Sequence, residues 1–385
     1  MSAQQQIQLG LSLGMSSTAG YNDNTPKPFV EHHPDFDNKK FVTPKDFLPT
    51  RDTRPEYRGK YENIKGAPII VGAWPWGDSS TFGWKPEEAD TNEQAWLKSV
   101  ELGINQVDTA PIYGTGRSGQ LCGRLFKTQE QKFGAKRQDY LFQAKFSGLP
   151  SLPKTWTEWS NAPRSFLEDS LKHTGLDYVD AYLVHGPIHP QSIETIAKAI
   201  AELVDEKKIK VVGLANATKD DILAYKTEFE KYGVPLAFVQ NEFSILRRLG
   251  EVNGVLDVCR EHNILFQGYS ALANGRLTGK WSPEHDPPKT YRFSQYPMKD
   301  IQHIVDVVLD IADKRTAPEG RKITAAGVAL NYLLVKGAYP VVSIRNPAQA
   351  ESNASALGWR LSDEERERID RVSLVGQPTA SWQRG

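Results

Sequence analysis

The chain has 385 residues, with 47 Lys plus Arg against 47 Asp plus Glu and a hydrophobic content of 39%. That balance leaves no global field to draw nucleic acid or a charged membrane surface, and no run approaches the roughly 18 apolar residues of a membrane span. Two cysteines, Cys122 and Cys259, are too few for a disulfide framework and suit a reducing compartment.

Residues 1–60 are rich in Gln, Asn, Asp, Pro and Lys and poor in apolar runs. They read as a flexible or wrapping extension ahead of a folded body at 61–385. The N-terminus lacks a charged segment followed by a long apolar one, and Asp23, Glu31 and Asp35 argue against an organellar leader. The last four residues, Trp382-Gln383-Arg384-Gly385, form no lipidation or peroxisomal address. A cytoplasmic location is the expectation.

From residue 68 onward, short β-rich runs alternate with helical patterns. Strands are predicted at 69–74, 106–110, 140–146, 179–185, 210–216, 238–244, 264–272 and 339–345. Helices are predicted at 89–102, 117–128, 162–174, 192–207, 219–232, 250–261 and 323–334, with a last one opening at Ser362. Thr218 with Asp220 and Asp221, and Ser362 with Glu365, are helix-start signals. Strict alternation implies a parallel sheet covered by helices. Eight strands point to a (β/α)8 TIM barrel, which takes about 250 residues plus insertions. An open doubly wound sheet is the competing architecture, with fewer strands and a phosphate loop after the first. Residues 273–300, with Pro283, Pro287, Pro288 and Pro297, read as a long loop after strand seven. The pairs Lys207-Lys208 and Arg247-Arg248 are too short for a nucleic-acid stripe and read as solvated surface.

Barrel chemistry sits at the C-terminal ends of the strands. Those ends carry Trp74, Asp108, Lys145, His185, Asn216, Gln240 with Asn241, Tyr269 with Ser270, and Ser343 with Arg345. Any one of them has a packing explanation: a snorkelling lysine, a hydrogen-bonded core histidine. A full set of polar strand ends does not. His185 with His189 makes a poor metal pair, because Gly186, Pro187 and Pro190 break the helical spacing and no acidic third ligand stands nearby. Gly114, Gly116 and Gly119 match G-x-G-x-x-G, but Pro111 and Tyr113 intervene and the next strand ends in Lys145 rather than a ribose-binding acid. The run reads as a turn and helix start.

The stretch Asp108-Thr-Ala-Pro-Ile-Tyr113-Gly114, Lys145 in Ala-Lys-Phe-Ser and His185 in Leu-Val-His-Gly-Pro resemble the catalytic signatures of the aldo-keto reductases. So do Gly213-Leu-Ala-Asn216, Gln240-Asn241 and the run from Tyr269 to Lys280, while the segment from Arg345 to Asn353 is similar to the family's closing nucleotide motif. The resemblance spans about residues 67–373 and implies a barrel that binds NADP(H) without a Rossmann domain. It implies a tetrad of Asp108, Tyr113, Lys145 and His185 that reduces an aldehyde or ketone. Tyr113 would give the proton, Lys145 and Asp108 would tune it, and His185 would polarise the carbonyl.

By the same resemblance, Tyr269 would stack on the nicotinamide, and Asn216 and Gln240 would hold its carboxamide. Ser270, Leu272, Gly275 and Arg276 or Lys280 would line the pyrophosphate. Arg345, Gln349 and Asn353 would meet the adenosine end. The chain departs from the common pattern at Ser343-Ile344, at Gln349 where some members have arginine, and at Ala215 where serine is usual. NADPH is the expected coenzyme, with NADH also possible in this pattern, since the fork of Arg345 suits a 2′-phosphate. Trp74, Trp76 and Trp84 either wall a substrate pocket for a bulky or aromatic carbonyl compound or fill core. Two other functions share these features. One is a coenzyme-binding regulatory subunit of the potassium-channel β type; the other is an aldolase using Lys145 as a Schiff base. The oligomeric state is not legible in the sequence.

Overall fold

A computed structural model describes residues 68–288, 296–316, 320, 322–379 and 382–385. The extension expected at 1–60 lies outside the described residues. Eight strands form one closed barrel: β1 (Ile70–Gly72), β2 (Gln106–Asp108), β3 (Leu141–Phe146), β4 (Val179–Val184), β5 (Ile209–Ala215), β6 (Leu236–Glu242), β7 (Leu265–Tyr269) and β8 (Ala338–Val342). All neighbours are parallel and follow chain order, and β8 pairs with β1 to close the ring. The (β/α)8 expectation holds, and the open-sheet alternative falls with the closure.

The longer helices are α1 (Ala89–Glu101), α2 (Arg117–Phe133), α3 (Ala162–Thr174), α4 (Ile193–Asp205), α5 (Lys219–Glu230), α6 (Val255–Glu261), α7 (Met298–Asp313), α8 (Ala325–Val335), α9 (Pro347–Ala354) and α10 (Asp363–Val372). Two begin as their sequence signals demand. Thr218 and Asp221 cap α5 reciprocally, and Ser362 and Glu365 do the same for α10. Among the described residues no helix is long and apolar enough to cross a membrane.

The period-two alternation of the strands sorts their residues onto two faces. Val107, Phe142, Phe146, Tyr182, Val212, Val239 and Phe266 face outward into the main core beneath the helices. Ala181, Leu183, Val211, Ala215 and Phe238 form a separate apolar cluster inside the barrel. Gly213 is glycine because a Cβ there would stand 2.4 Å from the Phe238 ring. Asp108, Gln143, Lys145, Gln240 and Gln267 have the inner parity of their strands. The barrel therefore carries its polar residues above an apolar floor.

Four sequence expectations need correction. Residues 273–300 are not loop throughout, because α7 begins at Met298 and buries Ile301, Ile304, Val305, Val308 and Ile311 at helical spacing. The single helix expected at 250–261 is two, Leu249–Val252 and α6, parted at Asn253 and at Gly254, whose φ of 81° a helix does not permit. Residues 347–354 form α9, a helix that the sequence expectation leaves out. Arg247 and Arg248 are not solvated: they are 2% and 0% exposed. Arg247 donates to the carbonyls of Gln377 and Gln383, which fastens the C-terminal segment.

Candidate active site

Three of the strand-end residues, Asp108, Lys145 and His185, meet Tyr113 at the mouth of the barrel. Lys145 is wholly buried, and its Nζ donates to Asp108 Oδ2 at 2.5 Å, to the Thr109 carbonyl at 3.3 Å and to Tyr113 Oη at 3.4 Å. The ammonium also lies 4.9 Å from the centre of the Tyr113 ring. Tyr113 Oη is 3.1 Å from His185 Nε2, and Ser147 Oγ is 2.9 Å from His185 Nδ1. Burial pushes the Lys145 ammonium below the usual lysine value, and the Asp108 carboxylate offsets part of that. The result is a phenol within reach of one buried cation and one imidazole.

Beneath this group lies a layer of amides that the sequence reading did not anticipate. Gln143 Nε2 donates to Asp108 Oδ1 at 2.6 Å and Gln240 Nε2 donates to the same oxygen at 3.2 Å. Gln267 Oε1 accepts from both amides at 3.0 Å, and Gln267 Nε2 donates back to Gln143 Oε1 at 3.1 Å. The register explains the layer: Asp108 pairs with Gln143 and Gln240 pairs with Gln267 across neighbouring strands. Asp108 thus accepts from a cation on one oxygen and from two amides on the other. Part of the signal was in the sequence, since Gln143 and Lys145 alternate and share one strand face.

A cavity of about 760 Å³ opens above the tetrad, within the range of about 300–1,000 Å³ usual for ligand sites. Asp108, Tyr113, His185, Asn216, Gln240, Tyr269, Ser270, Leu272, Gly275, Arg276, Lys280, Arg345, Gln349, Asn353 and Trp74 all line it. Of the tetrad and the expected coenzyme contacts, only Lys145 stands behind the wall, held by Asp108. Asn216 and Ser270 end their strands with φ of 58° and 56°, a left-handed turn that non-glycine residues seldom take. Asn216 donates to the His185 carbonyl at 2.8 Å and accepts from the Tyr269 hydroxyl at 2.6 Å. Arg276 is buried, donates to the Tyr296 carbonyl, and is pushed down to about 10 by burial. Lys280 is exposed, with its ammonium over the Trp281 ring.

The aromatic wall differs from the expected one. Trp74 stacks on Tyr113 with centroids 5.5 Å apart, and its indole N–H donates to Asp78. Trp76 and Trp84 do not reach the cavity. Trp76 is fully buried and donates to the Ile344 carbonyl, and Trp84 donates to Asn92. Phe82 and Trp382 take the places expected of them, Trp382 packing edge-on against His185 at 4.9 Å. Nothing local marked Trp382, because it reaches the site only through the path of the C-terminal segment.

The glycine run is structural. Side chains at Gly116 or Gly119 would strike His173 on α3, and Gly114 lies against the backbone of Gly77. His189 bonds Tyr225 and the Gln191 carbonyl instead of pairing with His185, and no cluster able to hold a metal occurs among the described residues. The wall of the cavity suits a long, partly anionic ligand. It presents aromatic and amide groups near the tetrad, and Arg345 and the N-terminus of α9 at the far end.

The fold is a (β/α)8 barrel with a cavity at its mouth, and the comparison with known families says which family of barrels it is. The profile of the aldo/keto reductase family matches residues 68–374, and the chain belongs to that family. Pyridoxal reductase, chloroplastic, of Arabidopsis thaliana is 28% identical over 323 residues, covering 80% of this chain and 85% of its own. The NADH-specific methylglyoxal reductase of Escherichia coli is 29% identical over 279 residues, covering 69% and 82%. Among solved structures, the glycerol dehydrogenase AKR11B4 of Gluconobacter oxydans superposes with a TM-score of 0.66 at 24% identity, covering 80% of this chain and 91% of that one. These relatives are named for reduction of pyridoxal and of methylglyoxal and for dehydrogenation of glycerol, and this chain is an oxidoreductase of the same family.

Proposed function

We propose that the protein is an NADP(H)-dependent reductase of a bulky or aromatic aldehyde or ketone, with Tyr113 as proton donor. The observation that carries the reading is the phenol of Tyr113 standing 3.4 Å from a buried ammonium and 3.1 Å from an imidazole, at the floor of an aromatic-walled cavity. The nucleotide supplies a hydride when bound. Everything else is the work of the chain's own residues.

A carbonyl oxygen seated between Tyr113 Oη and His185 Nε2 receives two hydrogen bonds. With the Ser147 hydroxyl donating to Nδ1, Nε2 carries the imidazole proton and donates it to that oxygen. As negative charge grows on the oxygen, Tyr113 gives up its proton. An ordinary phenol, with a pKa of about 10, is a weak acid for this task. Lys145 favours the phenolate by its charge, and Asp108 keeps Lys145 protonated and aimed. Tyr269, Asn216 and Gln240 would hold the nicotinamide end; Ser270, Leu272, Gly275, Arg276 and Lys280 the pyrophosphate; Arg345, Gln349 and Asn353 the adenosine end. Trp74, Phe82 and Trp382 shape the substrate side, and the pyridoxal reductase relative makes pyridoxal a natural member of a test panel.

The test is a fluorescence titration with NADPH and NADH, followed by turnover on a panel of aldehydes and ketones. NADPH is expected to bind, and aromatic carbonyls to be reduced faster than small aliphatic ones. Tight binding with no turnover of any carbonyl would sink the reductase reading.

A pH dependence follows from Lys145. The ammonium is required, and its value lies below the usual one of about 10.4, so it is lost early as pH rises. The alkaline limb of carbonyl reduction is expected below pH 10.4 in a pH–rate profile of kcat/KM, with loss of the ammonium and loss of the Tyr113 proton both contributing. A limb at or above that value would show that the ammonium does not feel its burial.

A further inference from the structure

We propose that Glu88 sets the coenzyme preference of this site by holding and neutralising Arg345, which weakens the grip on a nucleotide 2′-phosphate. The proposal rests on the reading above that Arg345 meets the adenosine end.

Glu88 closes the short turn Pro86–Glu88 that leads into α1, and Arg345 lies between β8 and α9. Glu88 Oε2 accepts from Arg345 Nε at 3.1 Å and from Nη2 at 2.5 Å. Its other oxygen accepts from the Lys85 amide at 3.2 Å, so the carboxylate is itself fixed. Arg345 is fixed from behind as well. Its amide donates to Gln349 Oε1 at 2.7 Å, and its carbonyl accepts from Asn92 at 3.3 Å. Arg345 lines the cavity and Glu88 does not, so Glu88 reaches a nucleotide only through the arginine.

The consequence is a difference between two ligands. A 2′-phosphate carries close to two negative charges and is recognised best by the open fork of a guanidinium. Here one edge of that fork, Nε with Nη2, already holds a carboxylate. Phosphate must displace Glu88 or use the remaining edge, where Nη1 donates to the Phe82 carbonyl at 3.5 Å, of a guanidinium whose charge Glu88 already offsets. A 2′-hydroxyl brings no charge and loses nothing. Both side chains are partly exposed, 37% for Arg345 and 26% for Glu88, so the competition takes place near water and has a moderate size. Specificity between NADPH and NADH is the difference of their affinities, and only one of the two feels Glu88.

Glu88→Gln keeps the shape and an acceptor and removes the charge. In titrations of the full chain with each nucleotide, this variant is expected to bind NADPH about three- to tenfold more tightly, while the NADH dissociation constant stays within about twofold. Arg345→Ala is expected to lose about tenfold or more in NADPH affinity. Adding Glu88→Gln to Arg345→Ala is expected to change nothing further, since Glu88 acts through that arginine. An unchanged ratio of the two affinities in Glu88→Gln, an equal change in both, or an effect that persists without Arg345 would each overturn the proposal while leaving the reductase reading in place. Failure of the unmodified chain to bind both nucleotides would overturn the coenzyme reading, and this proposal with it.

Discussion

Tyr113→Phe is expected to lower kcat for carbonyl reduction by about 10²–10⁴-fold while binding nucleotide as tightly as the unmodified chain. The substitution removes one oxygen and little else. The ring keeps its stacking on Trp74 at 5.5 Å, so the wall of the cavity survives. Lys145 keeps its 2.5 Å bond to Asp108, and His185 keeps its contact with Ser147. What is lost is the proton that the developing alkoxide needs, so the deficit belongs in kcat, with KM nearly unchanged. Single-turnover rates and a nucleotide titration on the same preparation separate the two. A variant that reduced its substrate at the unmodified rate would remove Tyr113 from the role of proton donor. A loss confined to nucleotide affinity would make the ring, and not the hydroxyl, the part that matters.

The tetrad was legible because three of its members sit where strand periodicity leaves them. Asp108, Lys145 and His185 follow apolar runs, at positions whose side chains turn inward or to the mouth of the barrel, and a buried Lys demands a partner. Tyr113 was legible by its company with Asp108 and Pro111. The amide layer was harder. Gln143, Gln240 and Gln267 become neighbours only when the strands close in register, and register across a barrel is not written in any single strand. The tryptophans show the limit most clearly. Trp74 and Trp76 are two residues apart, which in a strand would place them on one face. The turn that follows β1 breaks that alternation, so one faces the cavity and the other donates to the Ile344 carbonyl in the core. Trp382 and Glu88 owe their places to distant segments packing together. By contrast, α7 carried its signal openly in the spacing of Ile301, Ile304, Val305 and Val308, behind a proline-rich stretch that drew the loop boundary too far.

Asp370→Ala is expected to destabilise the fold by about 3–5 kcal/mol, the usual cost of removing one member of a buried ionic cluster. For a domain of this size that is a fall in Tm on the order of 10 °C, measurable by calorimetry or circular dichroism. Asp370 on α10 accepts from Arg248 at 2.7 Å, from Lys336 at 2.9 Å and from the Tyr332 hydroxyl at 2.5 Å, and Arg248 and Lys336 both also bond Glu251. Arg248, Glu251, Lys336 and Asp370 are at most 1% exposed at their side chains, and Arg366, 7% exposed, stands 3.8 Å from Asp370, so three cations face two anions. Removing one carboxylate leaves three cations beside a single anion, Glu251. Burial alone would raise the Asp370 carboxyl, but Arg248 and Lys336 outweigh it and hold it below the usual range. A depressed carboxylate contributes its stability above its unfolded value of about 3.9 and loses it as pH falls through the lower folded value. The gap in Tm between the unmodified chain and the variant should therefore be full near neutral pH and close in acid. The cluster touches none of the tetrad, so at low temperature the folded variant should reduce substrate at the unmodified rate per molecule. A Tm within about 2 °C of the unmodified value would mean that water or repacking replaces the lost charge. The cluster would then not be what fastens α10, the helix from which the chain returns past Arg247 to set Trp382 against His185.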